Sequence, residues 1–135
     1  MVRFIKPGRA VVLLQGRHAG QKAVVIRNVD KGSKDRPYGF AVVAGVERAP
    51  RAVTKSMNKR TVSRRSTLKP FLKAVNYNHM LPTRYTLEAE LNDFVKVETV
   101  ANKEAKKGAL KKIGKVFKGR YLEGKNSWFF SKLRF

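Results

Sequence analysis

The sequence contains no cysteine, and this absence removes several kinds of function at once. Disulfide bonds, thiolate nucleophiles and cysteine-based zinc sites all need a side chain that this chain lacks. Histidine is scarce as well, since His18 and His79 are the only two in 135 residues. Two histidines without cysteine do not supply the usual ligand set of a transition metal. We therefore expect neither a metal site nor a bound cofactor.

Long hydrophobic runs are missing too. The longest uninterrupted apolar run near the start covers residues 10–14. A membrane-spanning helix needs about 20 apolar residues, and the core of a signal peptide takes about 7 to 15. Neither length is reached, so the sequence predicts a protein of the cytosol or nucleus. With 42% hydrophobic residues, a chain of this length can fill one modest core.

Carboxylates are the third scarce group, because 9 Asp and Glu stand against 31 Lys and Arg, a formal net charge of +22. Charge of one sign on this scale destabilises the compact state unless a polyanion neutralises it. Nucleic acid is the partner that such a balance indicates. Solvation of the surface explains a small excess of cations, but it does not explain an excess as large as this one.

A catalytic site would need paired carboxylates, or a histidine held by one, at convergent positions. The sequence shows no such pairing, since Asp30 and Asp35 flank Gly32 in a segment typical of a turn. Gly16 and Gly20 do not form a P-loop, because the second glycine, lysine and Ser/Thr of that motif are missing at the required spacing. We therefore predict that the protein is not an enzyme, and an RNA-cleaving activity is disfavoured with the rest.

The acidic residues are unevenly spread, and a gap among them marks the segment most suited to phosphate. No carboxylate occurs between Glu47 and Glu88, so we predict that residues 48–84 are the principal phosphate-contacting segment. Residues 54–67 are polar enough to be poorly ordered without that partner. The cations in the gap are Arg48, Arg51, Lys55, Lys59, Arg60, Arg64, Arg65, Lys69, Lys73 and Arg84.

Three short β-branched runs, at residues 10–14, 23–26 and 40–44, predict strands of a small and strongly bent sheet. Gly16 and Gly20 lie between the first two runs, where positive φ angles would let the chain turn tightly. The glycines close a hairpin between the two strands. Cations carried on such a turn could in addition contact phosphate groups. The outward side chains expected to contact nucleic acid are Arg17, His18 and Lys22.

Residues 102–118 predict a helix that begins at Asn102, a residue that favours the N-cap position. Its apolar positions recur at helical spacing and form one stripe, at Leu110, Ile113, Phe117 and Tyr121. Gly108 and Gly114 weaken the helix, so it depends on packing for its stability. A different face carries lysines that we expect either to contact phosphate or to be solvated, namely Lys107, Lys111, Lys115 and Lys118.

Aromatic and basic residues alternate in residues 76–87 and again in residues 124–135. In the first segment, aromatic rings (Tyr77, His79, Tyr85) can stack on unpaired bases and amides (Asn76, Asn78) can hydrogen-bond base edges or sugar hydroxyls. For Tyr85, burial in the protein's own core is an equal alternative. The tail has too many large apolar side chains to leave in water, so we expect them to dock on the protein's own sheet. Lys132 and Arg134 are expected to face phosphates.

Residues 6–26, KPGRAVVLLQGRHAGQKAVVI, resemble a KOW motif of the kind found in ribosomal and transcription-elongation proteins. The chain departs from the usual pattern at Ala23, where the motif has a further glycine. The resemblance implies a small SH3-like barrel of about five strands, with residues 93–98 as its closing strand by analogy. Together with the charge gap, the helical pattern and the aromatic-basic tail, this leads us to expect a mostly β fold with some α structure: the barrel, a basic central extension, one C-terminal helix and an aromatic-basic tail. The expected organisation is barrel strands in 1–53, a basic RNA-contacting excursion in 54–92, a closing strand in 93–98, an amphipathic basic helix in 101–122 and the tail in 123–135.

Together with AGVER at residues 44–48, NYNHMLPTRYTL at 76–87 and GKNSWFFSKLRF at 124–135, the KOW segment resembles the family of the twenty-seventh protein of the eukaryotic large ribosomal subunit. The motifs occur in matching order along the whole chain, and residues 101–122 are the least typical stretch. The resemblance implies a structural protein of the cytosolic ribosome, assembled in the nucleolus, with large-subunit rRNA and neighbouring ribosomal proteins as partners. Charge and the KOW motif alone also allow an adaptor of transcription elongation.

Overall fold

A computed structural model describes residues 5–87, 95, 97–124 and 127–131 of the chain. These residues form a five-stranded antiparallel sheet with four α-helices, so the predicted mixture of β and α structure is confirmed. The strands are β1 (Arg9–Leu13), β2 (Lys22–Val29), β3 (Phe40–Arg48), β4 (Lys69–Asn76) and β5 (Met80–Thr86). The helices are α1 (Lys59–Arg65), α2 (Val97–Ala101), α3 (Lys103–Leu122) and α4 (Ser127–Phe130), and a 3₁₀ turn covers Tyr77–His79.

The sheet is strongly curled, because its two edge strands are neighbours in sequence. The strand order is β4-β3-β2-β1-β5, which places β4 and β5 at opposite edges. In a flat sheet those edges would lie about 19 Å apart, at roughly 4.8 Å per strand. The link from Asn76 to Met80 spans at most about 14 Å when fully extended. The sheet must therefore bend until its edges approach each other at this end.

Both faces of the curled sheet are apolar and covered. The inner face packs against itself in a cluster that includes Leu13, Val25 and Val43. The outer face carries Val42 and Leu72 and is covered by α3 and α4. Burial on both faces explains why β1, β2 and β3 read as continuous apolar runs instead of an alternation of apolar and polar residues.

The three strands predicted from the β-branched runs are confirmed as β1, β2 and β3, and Ala23 lies in β2 as an ordinary buried strand residue. The basic excursion needs correction, since β4 and β5 both lie inside residues 54–92. The lysines of β4 concealed its strand character, because Lys69 and Lys73 alternate with buried positions. The predicted excursion therefore supplies two of the five strands of the sheet.

The predicted closing strand at residues 93–98 is also wrong where the structure describes it. Residues 97 and 98 begin α2, and β5 takes the place beside β1 instead. Val95 is fully buried against the outer face, and its carbonyl oxygen accepts a 2.7 Å hydrogen bond from Arg27 Nε. Residues 93, 94 and 96 lie outside the described residues.

Helix α3 begins at the predicted N-cap, where the Asn102 side chain accepts hydrogen bonds from the backbone N–H groups of Glu104 and Ala105. Ile113 and Phe117 of the predicted stripe are fully buried on the sheet, while Leu110 and Tyr121 flank them as partly buried neighbours. Within the described residues no helix is both long and apolar enough to cross a membrane.

The tail docks on the protein itself, as predicted, through the part that the structure describes. Phe129 and Phe130 are buried, with ring centroids 5.5 Å and 6.0 Å from that of Phe117. Trp128 stacks on Tyr85 with a centroid separation of 4.2 Å, so the Tyr85 ring packs against the tail while remaining 39% exposed and outside the core. Leu133 and Phe135, which were also expected to dock, lie outside the described residues.

Positive φ angles occur at Gly16 and Gly20, +93° and +82°, as the turn between β1 and β2 was predicted to require. No heavy atom lies within 4 Å of a Cβ placed on Gly20. A substitution there is therefore penalised by backbone strain and not by a steric clash with the rest of the protein.

Replacing Gly20 with valine should lower the free energy of unfolding by more than about 1 kcal/mol, because a β-branched residue at positive φ is strained. Gly108→Ala is the matched control, since Gly108 lies in α3 and a Cβ there also meets nothing within 4 Å. That variant should gain up to about 1 kcal/mol from helix propensity. Chemical denaturation measures both, and an unchanged midpoint for Gly20→Val contradicts the proposed source of strain.

Truncating Phe129 to alanine should lower the free energy of unfolding by about 3–5 kcal/mol, as for other buried phenylalanines. Leu122→Ala serves as the control, because Leu122 is 65% exposed and should change stability by no more than about 0.5 kcal/mol. Thermal or urea unfolding of the two variants checks the difference. Equal, small effects would mean that the tail does not stabilise the sheet.

Candidate nucleic-acid interface

Four of the predicted arginines converge on one open cavity, here called the arginine pocket. Arg48 ends β3 and Arg51 follows it, while Arg64 and Arg65 belong to the last turn of α1. The cavity has a volume of about 420 Å³ and is also lined by Ala49, Thr61 and Thr67. No carboxylate is among these lining residues.

Hydrogen bonds join the two segments that supply the arginines. The backbone N–H of Arg51 donates to the carbonyl of Arg65 at 2.7 Å, and Arg65 Nε donates to the carbonyl of Ala52 at 2.6 Å. Helix α1 is capped by Asn58, whose side chain accepts a 2.9 Å hydrogen bond from the N–H of Thr61. The short helix is thus tied to the chain that leaves β3, although its sequence had suggested only a polar segment.

The chemistry of the arginine pocket suits a phosphate group. Guanidinium groups offer planar pairs of N–H donors that match phosphate oxygens, and they keep their charge at all physiological pH values. Arg48, Arg51 and Arg64 are exposed, so their charge is available to a ligand in solvent. The nearby carboxylate of Glu47 forms an ion pair with Lys69 Nζ at 3.4 Å.

A second groove of about 410 Å³ adjoins this pocket and shares Arg48, Ala49 and Arg51 with it. It continues past Gly20, Gln21 and Lys22, at the end of the turn between β1 and β2, to Phe129 and Ser131 of the tail, and the carboxylate of Glu47 also lines it. The turn and the end of β3 therefore line one continuous concave surface, which the sequence analysis had treated as two separate contacts.

The turn between β1 and β2 also lines a separate cavity, here called the turn cavity. Its volume is about 430 Å³ and its polar lining consists of Arg17, His18, Lys73 and Lys106. The His18 ring lies parallel to that of Phe71, with centroids 4.1 Å apart and an interplanar angle of 6°. Burial lowers the pKa of His18, and the nearby cations lower it further against the opposing effect of Glu47.

Lys22 requires a correction, because it does not project outward as predicted. The residue is only 4% exposed, and its ammonium donates hydrogen bonds to the carbonyl oxygens of Trp128 and Ser131. The same nitrogen lies 4.2 Å from the centroid of the Trp128 ring. In this fold Lys22 anchors the tail, because its ammonium is engaged by backbone carbonyls instead of projecting outward.

The aromatic-basic segment after β4 is used largely inside the protein. The Asn76 side chain accepts a hydrogen bond from the N–H of Asn78 at 2.9 Å, which caps the 3₁₀ turn. Tyr77 donates its hydroxyl to Asp30 Oδ1 at 2.7 Å. Asn76 is thus at least partly a capping residue, whereas Asn78 is exposed and His79 is half-buried at the same turn.

The remaining predicted cations are spread over the surface and do not converge on either cavity. Lys55, Lys59 and Arg60 lie in and before α1, and Lys69 begins β4. Arg84 is exposed on β5, with its guanidinium 5.2 Å from the Tyr85 ring centroid. Lys107, Lys111 and Lys115 are exposed on α3. Lys132 and Arg134 lie outside the described residues.

Three lining residues were missed by sequence reasoning. Thr61 and Thr67 carry no charge, and their place beside the arginines depends on how α1 is oriented. The position of Lys106 could have been predicted from the sequence, because it precedes Ala109 by three residues and Ile113 by seven. That spacing puts it on the helix face that packs on the sheet, unlike the other lysines of α3. No group of three or more metal-ligating side chains was found among the described residues.

Comparison with known proteins assigns the family. A model of the ribosomal L27e protein family matches residues 10–135. The chain is 47% identical over 136 residues to large ribosomal subunit protein eL27A of Schizosaccharomyces pombe, with both chains fully covered. It is 48% identical to eL27B of Saccharomyces cerevisiae and 46% identical to eL27 of Pisum sativum, again over the full length of each. The family consists of structural proteins and not of enzymes, and with these matches over its whole length the chain belongs to the ribosomal L27e family.

Proposed function

We propose that the chain is a structural constituent of the large subunit of the cytosolic ribosome and that it binds large-subunit rRNA through the arginine pocket. The observation that carries this proposal is the convergence of Arg48, Arg51, Arg64 and Arg65 on one cavity whose lining contains no carboxylate among the residues that the structure describes. Membership of the ribosomal L27e family supports assembly into the large subunit. The arginine pocket is the proposed site of contact with rRNA.

The net charge supports the same role. Most of the affinity of a protein for RNA comes from neutralising phosphates, which releases counterions and makes binding strongly dependent on salt. The arginine pocket concentrates part of the charge, while the exposed lysines of α1 and α3 spread the rest over the surface. Lys132 and Arg134 remain proposed phosphate contacts of the tail.

The curled sheet supports the finer proposal of an SH3-like barrel of the KOW type. Its strand order places β5 beside β1, and the short link between β4 and β5 draws the two edges together at one end. The inner cluster has the character of a barrel core, since it is formed by residues of all five strands. In this proposal β5, and not residues 93–98, is the strand that approaches closure.

Location and partners follow from the assembly. Assembly in the nucleolus requires import into the nucleus, and two basic pairs on α1, Lys59-Arg60 and Arg64-Arg65, suit an import signal. The same residues can then serve RNA contact once the subunit forms. Neighbouring ribosomal proteins are the further partners that we propose.

The alternative role in transcription elongation receives no support from the relatives, which are named as large-subunit proteins.

Sedimentation of the tagged protein through a polysome gradient tests the assembly directly. We expect co-migration with large subunits, 80S particles and polysomes at moderate salt, because a structural constituent stays bound through the translation cycle. A protein that remains at the top of the gradient, or that sediments only with nuclear complexes, contradicts the proposal.

Binding to a large-subunit rRNA fragment should depend steeply on salt. With roughly ten phosphate contacts, the slope of log K against log salt should be about −7 to −9. Arg48→Ala combined with Arg64→Ala should reduce the magnitude of the slope by about one to two units, since each lost contact removes a little under one. Lys31→Ala combined with Lys34→Ala removes the same charge from the exposed turn between β2 and β3 and is the matched control. A wild-type slope near −2, or equal effects of both pairs, contradicts this assignment.

A further inference from the structure

The turn cavity combines a flat ring with three cations, and the arginine pocket has no such ring. Arg17, Lys73 and Lys106 come from three different elements, the β1–β2 turn, β4 and α3, yet they line one space of about 430 Å³. That volume lies within the roughly 300–1,000 Å³ typical of pockets for small ligands. The tertiary fold, and not a local run of charge, creates this site.

Glycine positions the parts of this cavity. Gly16 has a φ of +93°, which favours glycine, and a Cβ placed there would lie 3.2 Å from Lys73 Nζ, so the turn passes close to the end of this lysine side chain. A Cβ on Gly45 would lie 2.7 Å from the ring of Phe71, so this ring rests directly on the backbone of β3. Phe71 in turn supports one face of His18. The ring of His18 is therefore held on a rigid base at the side of the cavity.

We propose that the turn cavity holds one unpaired nucleotide of the bound RNA, with its base stacked on the His18 ring and its phosphate among Arg17, Lys73 and Lys106. The column Phe71-His18-base would extend an aromatic stack that already exists in the protein. This inference rests on the proposed RNA-binding function and adds a second contact to it. The second contact distinguishes unpaired from paired nucleotides, in addition to binding phosphate charge.

The electrostatic surroundings favour this use of the ring. The pKa of His18 is lowered first by burial and then by Lys73, Arg17 and Lys106, while Glu47 acts in the opposite direction. The lowered pKa favours the neutral imidazole, which suits an aromatic platform, while the three cations remain to bind phosphate. Stacking of a base on an aromatic side chain is tolerant of sequence, since every base has a flat face.

Two RNA hairpins that differ only in one unpaired adenosine test the proposal. Wild-type protein should bind the bulged hairpin at least about fivefold more tightly than the fully paired one, in line with the stacking of a single base. With 2-aminopurine at the bulge, binding should quench its fluorescence through stacking. Equal affinity for the two hairpins, or unchanged fluorescence in the bound state, overturns the proposal without any variant.

Variants then assign the effect to the ring. His18→Ala should abolish the preference for the bulge, whereas His18→Phe should keep it because the flat face remains. Lys106→Ala should weaken binding of the bulged hairpin more than binding of the paired one, and Lys103→Ala, at an exposed lysine in the first turn of the same helix, is the control that should not change the preference. Circular dichroism verifies folding of each variant. A folded His18→Ala protein that retains the preference overturns the proposal, and if that variant does not fold, loss of the preference in a folded His18→Phe protein does so.

Failure of this inference is distinguishable from failure of the proposed function. If both hairpins bind equally but with a steep salt dependence that Arg48→Ala and Arg64→Ala reduce, the nucleotide site is refuted and the RNA-binding function stands. If neither hairpin nor the rRNA fragment shows salt-dependent binding, the proposed function itself is refuted, and the nucleotide site with it.

Discussion

The short link between β4 and β5 is the constraint on which the rest of the structure depends. It draws the two edges of the sheet toward each other at this end, so the sheet curls and its inner face packs into a core without help from a helix. The outer face is left convex and apolar. It is covered by α3 and by the aromatic residues of α4, so Phe129 and Phe130 of the short tail become buried.

The cationic side chains have two different roles in this structure. One lysine, Lys22, is drawn into the structure, where it binds the backbone carbonyls that end α4 and the face of Trp128. This interaction joins the tail to the second strand without any carboxylate. Most of the other cations stay on the surface, where their mutual repulsion is relieved only when a polyanion binds.

The two proposed RNA contacts differ in kind and are built on different elements, the end of β3 with α1 in one case and the β1–β2 turn with β4 and α3 in the other. The arginine pocket is built from guanidinium groups and hydroxyls, which recognise phosphate geometry. The turn cavity adds a supported aromatic ring, which recognises an exposed base. A protein with both can hold a folded RNA at a place where paired and unpaired segments meet.

The sequence by itself determined the partner class, the first three strands, the N-cap at Asn102 and the docking of the tail. Each of these rests on local signals, namely charge balance, β-branched runs between glycines, capping chemistry and apolar surface that water disfavours. Only the tertiary structure decided that residues 80–86 pair with β1, because strand partners are chosen by curvature and packing across the whole sheet. It also decided the role of individual cations. Lys22 and Arg48 look alike in sequence, yet one is buried beneath the tail and the other lines an open pocket, because burial depends on residues more than a hundred positions away.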